Sequence, residues 1–183
     1  MLDRIAVNVL ALFAVGLGSI AVSPLSAQEA PGENQAVLVQ QKLSGPRFGA
    51  TVFTGDVAKF RTANDKSRIM SQFGWQWETQ MMSSQSGNQA LMEWVLLVGG
   101  VEQDEFNVSL GWLAGYRLAN GFEVGAGPNV SKTKESGDLT TSMLVATGYT
   151  MSAGGLNVPL NAAMSFAEGG PRMTFLVGWV IGR

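Results

Sequence analysis

The chain has 183 residues, enough for one domain with a sizeable core or for one small barrel. A formal net charge of −2 leaves no basic footprint for nucleic acid. Charged residues make up 14% of the chain, against the ~25% usual for a soluble domain. Cysteine and histidine are both absent. That removes disulfides, thiolate metal sites, a lipid-modified cysteine, the commonest general base and the commonest transition-metal ligand.

Met1 to about Ala27 reads as a secretory signal. Arg4 is the basic side chain of its first segment, an apolar run from Ile5 to Val22 follows, and Ser23-Pro24-Leu25-Ser26-Ala27 brings small residues to a cleavage site after Ala27, with Ala30 as the alternative. The apolar run also approaches the ~20 residues that a helical anchor needs; Pro24 and the small residues favour the signal. Residues 28–45 are polar apart from Ala36-Val37-Leu38-Val39 and read as a periplasmic lead-in to a single barrel domain over residues 46–183.

From Pro46 the chain alternates, and turn residues punctuate it. The first strand spans about Arg47 to Thr54. A longer connection, Gly55 to Arg68, carries Lys59, Arg61, Lys66 and Arg68, with Val57 and Phe60 on one face of a short helix. If it faces outward, its cations meet lipopolysaccharide phosphates; as a mixed-charge surface loop it needs no ligand. The second strand, Ser71 to Met81, sets Phe73, Trp75, Trp77, Thr79 and Met81 on one face. Gln72, Gly74, Gln76, Glu78 and Gln80 take the other. A loop from Ser83 to Asn88 leads to a third strand, Gln89 to Gly99, apolar on both faces except at Glu93, and then to the acidic turn Glu102-Gln103-Asp104-Glu105, a candidate for divalent cations.

The fourth strand, Phe106 to Leu118, and the fifth, from Phe122, flank Asn120-Gly121, a hairpin signal. A two-residue loop would set wet residues against apolar ones. A three-residue loop with Gly121 in the left-handed region pairs Leu118 with Phe122 and puts Arg117 opposite Glu123. Pro128 and Pro159 each lack a ladder donor, so a bulge or gap in pairing is expected at each. Gly125-Ala126-Gly127-Pro128-Asn129 has the glycines of a phosphate loop but no following helix. A charged loop, Lys132 to Leu139, precedes a sixth strand over Thr140 to Ser152; a seventh starts at Leu156, and an eighth runs from Arg172 to the end of the sequence. The fold class is therefore all-β: an antiparallel, up-and-down, transmembrane barrel of about eight strands, most near the ~9–11 residues that cross a bilayer.

All five tryptophans, Trp75, Trp77, Trp94, Trp112 and Trp179, fall on apolar faces together with Phe73. Such a set fills a soluble core or faces lipid. The wet faces favour lipid. They carry Gly, Asn, Gln and Ser with a few charges (Glu78, Glu93, Arg117, Glu123 and Arg172), whereas the water-exposed face of a soluble sheet is rich in Lys and Glu.

In this alternation the chain resembles the small outer-membrane β-barrel proteins, the eight-stranded class typified by OmpA and OmpX. The resemblance covers roughly Arg47 to Arg183. The run Gln72-Phe73-Gly74-Trp75-Gln76-Trp77-Glu78 is also similar to bacterial exported proteins of unassigned function. That class usually closes its last strand on an aromatic residue; Gly178 and Ile181 fit such a signal and Arg183 departs from it. The resemblance implies outer-membrane lipid and lipopolysaccharide as surroundings and the barrel assembly machinery as a partner.

The lumen charges are the candidate site. Buried carboxylates require cations. Arg117–Glu123 is the best pair, and a six-residue loop after Met82 would set Glu78 beside Glu93, to share a proton, hold a cation or meet Arg172. A gate or ion path and a structural network filling a closed barrel both use these groups; eight strands leave an interior just filled by side chains. Ser109, Ser131 and Ser165 lie on wet faces, but without histidine the usual triad fails. The expected function is structural or surface-binding, neither an open porin nor an enzyme, with no cofactor and no metal. The alternatives are a soluble periplasmic barrel of lipocalin-like type carrying a hydrophobic small molecule, and a membrane enzyme built on Glu78 and Glu93.

Overall fold

A computed structural model of the chain describes residues 43–133 and 139–181. The expected signal, most of the lead-in, the middle of the Lys132–Leu139 loop and Arg183 lie outside the described residues.

Strict alternation makes the strands. β1 spans Gly45–Phe53, β2 Ile69–Ser83, β3 Gln89–Gly99, β4 Asn107–Arg117, β5 Phe122–Thr133, β6 Leu139–Ala153, β7 Leu156–Ala167 and β8 Gly170–Gly178. A short β9, Val180–Ile181, continues β8 past Trp179. Sequence neighbours pair antiparallel, and β8 pairs back onto β1, so the sheet closes into an eight-strand up-and-down barrel. A circuit of cross-strand partners gives its stagger: Thr79, Met92, Ala114, Ala126, Val145, Met164, Met173, Val52 and then Ile69, ten residues from the start on the same strand. Eight strands with that shear tilt by about 40° at ordinary sheet spacings.

The two faces fall as the alternation predicts. Lumen positions include Arg47, Gln76, Glu78, Glu93, Arg117 and Glu123, all buried. The outer surface carries Phe73, Trp75, Trp77, Trp94 and Trp179 at 40–50% exposure, with Trp112 half-buried beside Trp94. The Trp94 and Trp112 rings meet edge-on at 6.5 Å, and Phe48 stacks on Trp179 at 5.2 Å.

Turn chemistry sets the registers. Between β4 and β5 the loop has three residues, with Leu118 N–H donating to Phe122 O at 2.8 Å and Gly121 at φ +88°, a region that L side chains rarely adopt. Arg117 is therefore opposite Glu123. Between β2 and β3 the connection is shorter than the six residues expected. Its five residues, Ser84 to Asn88, are compensated by a bulge between the pairs Gln80–Leu91 and Met82–Ala90, so Glu78 still faces Glu93.

Both prolines interrupt a ladder. β4 and β5 pair as far as Gly111–Asn129 and resume at Ala114–Ala126, leaving a gap at Pro128. A Cβ on neighbouring Gly127 would overlap the Trp112 carbonyl, so the two backbones approach too closely there for any side chain. Pro159 keeps its place against Thr150 of β6, but β7–β8 pairing stops at Leu160–Val177 and resumes at Asn157–Val180. The missing donor on Pro159 explains why β8 and β9 are separate.

One barrel end carries the starts of β1 and the end of β9 with the connections 84–88, 118–121 and 154–155. The other carries the two longest connections, 54–68 and 100–106, together with the two-residue β7–β8 turn. Helix α1, Gly55–Ala63, follows β1 there, with Asp56 in its first turn and Arg61 in its last, both suited to the helix dipole. Its inner side differs from the expected one. Ala58 and Arg61 are buried and Val57 packs on Phe53, Ala58 and Met70, while Phe60 is 69% exposed. The helix docks where Phe53 and Met70 present apolar surface at the mouth, and Phe60 points away from it.

Candidate functional site

At the end bearing β9, the lumen floor is a continuous polar network. Arg117 forks onto Glu78, with Nη1 donating to Oε1 at 2.8 Å and Nη2 to Oε2 at 2.5 Å, and it also reaches Glu123 Oε2 through Nε at 2.9 Å and Nη2 at 2.7 Å. One guanidinium thus bridges two carboxylates, a geometry its planar set of donors suits. The other oxygen of Glu123 accepts from Asn161 Nδ2 at 2.6 Å. Glu93 accepts from Gln76 Nε2 at 2.9 Å, and Gln76 Oε1 accepts from Arg47 Nε at 2.9 Å. Three carboxylates face two guanidiniums, and Glu93 is the carboxylate with no ion pair among the described residues.

The lead-in closes this floor. Leu43 is fully buried, its carbonyl accepts from Arg47 Nη2 at 2.8 Å and its N–H reaches Glu78 Oε1 at 3.5 Å. Glu78 N–H donates to Ser44 Oγ at 2.8 Å.

The mouth is held by a second network, made from connections. Arg61 donates to Glu105 Oε2 at 2.6 Å, to Gln103 Oε1 at 2.9 Å and to the Ser67 carbonyl at 2.8 Å. Lys66 Nζ donates to Glu105 Oε1 at 2.9 Å. Burial alone would raise the Glu105 carboxyl, but the hydrogen bonds from Lys66 and Arg61 outweigh it and hold the group below its ordinary range. Glu102, in the 3₁₀ turn Val101–Gln103, accepts from both the backbone N–H and the hydroxyl of Ser71. Slight burial pushes its carboxyl up; those hydrogen bonds, with one from Gln103, win and bring it to about 2. Asp56 and Lys59 form an exposed pair at 2.9 Å, of a kind that contributes little to stability. Further staples tie α1 to the β7–β8 turn: Val57 N–H donates to Gly169 O at 3.0 Å, and the Thr54 hydroxyl to Pro171 O at 2.5 Å.

Between floor and mouth lies a lumen cavity of about 80 Å³, bounded by Gln76 and Glu93 at one side and by Phe53, Met70 and Arg172 at the other. That is space for a few waters or one small ion.

The structure brings Glu78, Glu93, Arg117 and Glu123 together and leaves Arg172 out. Arg172 starts β8 at the mouth end, beside the Phe53 ring, because its strand runs toward the floor and the floor positions of that strand are filled by Leu176 and Gly178. Arg47, Gln76 and Asn161 take its expected place. Arg47 alternates with Gly49 and Thr51 on the wet parity of β1, a signal readable in the sequence. Arg61, expected as a surface contact, is buried and committed to Glu105, because α1 turns its last turn inward. Lys66 is half-buried on the same carboxylate, whereas Lys59 and Arg68 stay exposed. The acidic turn likewise spends Glu102 and Glu105 on partners within the chain. No protein-family profile matches the chain, and neither a curated protein nor a solved structure is detectably similar to it.

Proposed function

We propose that the protein is an exported outer-membrane barrel with a plugged polar lumen, serving a structural or surface-binding role and not acting as an open porin or an enzyme. The observation that carries this reading is the sidedness of the sheet. Large apolar side chains ring the outside on every strand, while arginine, glutamate and glutamine are buried within. Soluble monomers rarely expose contiguous apolar patches beyond a few hundred Å², and a lipid-facing band is the setting in which this arrangement is stable.

Three further features support it. Strands of 9–15 residues tilted by about 40° give a band about 25 Å tall, the height of an outer-membrane hydrocarbon layer. The two longest connections, 54–68 and 100–106, both lie at the end away from the start of β1, in keeping with the long outer loops of outer-membrane barrels. The cavity of about 80 Å³ is far below the ~300 Å³ or more of an ordinary small-molecule site. On this reading α1 faces outward, and Lys59 and Arg68 are the exposed cations that lipopolysaccharide phosphates would meet. The lipid-facing strands would be inserted by the barrel assembly machinery.

The test is fractionation with heat-modifiable gel migration. Protein in the outer-membrane pellet whose folded form migrates apart from the boiled form is the expected result, with no single-channel conductance in planar bilayers. Protein found wholly in the soluble fraction and folded without detergent would overturn the reading in favour of a lipocalin-like carrier.

A further inference from the structure

Arg172 differs from every other lumen arginine. Arg47 donates to Gln76 and to two backbone carbonyls, Arg61 to Glu105, and Arg117 to Glu78 and Glu123. Arg172 makes no hydrogen bond or ion pair among the described residues; its Nε is enclosed without a partner, and its recorded contact is the face of Phe53, 5.5 Å from guanidinium carbon to ring centre. The guanidinium of Arg61 lies 4.4 Å from the centre of the same ring. Of the buried carboxylates, Glu105 is taken by Arg61 and Lys66, and Glu78 and Glu123 by Arg117, while Glu93, at the opposite side of the same cavity, accepts from Gln76 and makes no ion pair.

Arg172 is half-buried, with its Nε enclosed and no carboxylate paired to it among the described residues. Here it borders a cavity of about 80 Å³ whose lining also includes Ser131 and Ser165. Ser165 is the cross-strand partner of Arg172. Both serines are buried. A guanidinium with a free donor, two hydroxyls on the cavity wall and a second positive charge nearby form a donor set that matches an anion.

We propose that the lumen beneath α1 holds a small inorganic anion of halide size against Arg172, with the Ser165 and Ser131 hydroxyls completing its shell. The anion supplies the counter-charge that the chain itself supplies to Arg117 through Glu78 and Glu123. The site is independent of what surrounds the barrel, so its outcome and that of the fractionation test are separable.

The experiment replaces gluconate, too large for the cavity, with chloride at constant ionic strength and follows the thermal unfolding midpoint of the folded full-length protein. The wild type should gain roughly 3–6 °C in chloride. Arg172→Gln should lose that gain, Arg172→Lys should keep part of it, and Lys59→Gln, an exposed cation at the same end, should respond as the wild type does. Equal gains in wild type and Arg172→Gln would reduce the effect to general screening and overturn the proposal. Should Arg172→Gln fail to fold, a bromide soak of wild-type crystals decides. An anomalous peak within hydrogen-bonding reach of the Arg172 guanidinium supports the site, and an empty cavity overturns it.

Discussion

At the lumen floor every charged group stands on a strand: Arg47 on β1, Glu78 on β2, Glu93 on β3, Arg117 on β4 and Glu123 on β5. At the mouth, Arg61 comes from α1, Lys66 from the segment after it, and Gln103 and Glu105 from the β3–β4 connection. Both networks join cations to carboxylates at similar distances. They differ in what fixes them. The floor is held by the closed ladder, since moving Arg117 away from Glu78 and Glu123 would mean slipping a register and turning every side chain on that strand to the other face. The mouth is held by its own ion pairs, so its members are at once the structure and the fastening. The floor should therefore fail globally and the mouth locally.

The largest expected effect is at the floor. Arg117→Met strands two buried carboxylates, and a loss of about 3–5 kcal/mol of stability follows. The urea midpoint of the folded gel band measures it, and adding Glu78→Gln to Arg117→Met should restore part of the loss. A variant with unchanged midpoint would show that the floor is not what locks the barrel.

At the mouth the effect is smaller. Arg61→Met leaves Glu105 with Lys66 alone and removes the bonds to Gln103 and Ser67, at a cost of about 1–3 kcal/mol. It should appear as faster amide exchange in α1 and the β3–β4 connection, with the floor strands unchanged. Faster exchange in β4 and β5 as well would erase the distinction between the two ends.

Acid sharpens the comparison further. Glu102 and Glu105 titrate below the ordinary glutamate value of 4.5, with Glu102 at about 2. Their contribution to the mouth is complete above the unfolded-state value and disappears as pH falls through the folded-state value. Between about pH 4.5 and pH 2 the β3–β4 connection should loosen. The Ser71 amide resonance, which reports the Glu102 hydrogen bond, should move with a midpoint near 2; a midpoint near 4.5 would mean that bond is absent in solution.

The smallest effect is expected for Glu93→Gln. The amide oxygen still accepts from Gln76, and the substitution removes a buried carboxylate that has no ion pair. Stability should stay within about 1 kcal/mol of wild type or rise. A loss as large as that of Arg117→Met would reveal a cation held at Glu93.

Much of the barrel was readable before any coordinates. The two faces of β2 follow from alternation over Phe73 to Gln80, and the Arg117–Glu123 pair follows from the three-residue turn at Gly121, because wet must meet wet across a hairpin. Glu78 does face Glu93, although by a shorter loop and a bulge in place of the longer loop. A bulge leaves no local signature, and the two routes give the same register. Arg172 and Arg61 were misplaced for different reasons. Parity says that a side chain enters the lumen, but the height at which it does so depends on the accumulated stagger, here ten residues from Thr79 to Ile69 around the circuit. α1 carries no strict period, and its buried face was set by Phe53 and Met70.

The sequence by itself determined the strand number, the antiparallel order and which residues share a face, because each depends on periods and turns within a few tens of residues. Beyond the hairpin pairings Arg117–Glu123 and Glu78–Glu93, only the tertiary structure decided which charged groups meet. Arg47 is 29 positions from Gln76, Arg117 is 39 from Glu78, and Arg61 is 44 from Glu105. The first two are fixed by closure of the ring and its shear, a property of all eight strands together, and the third by the docking of α1 at the mouth.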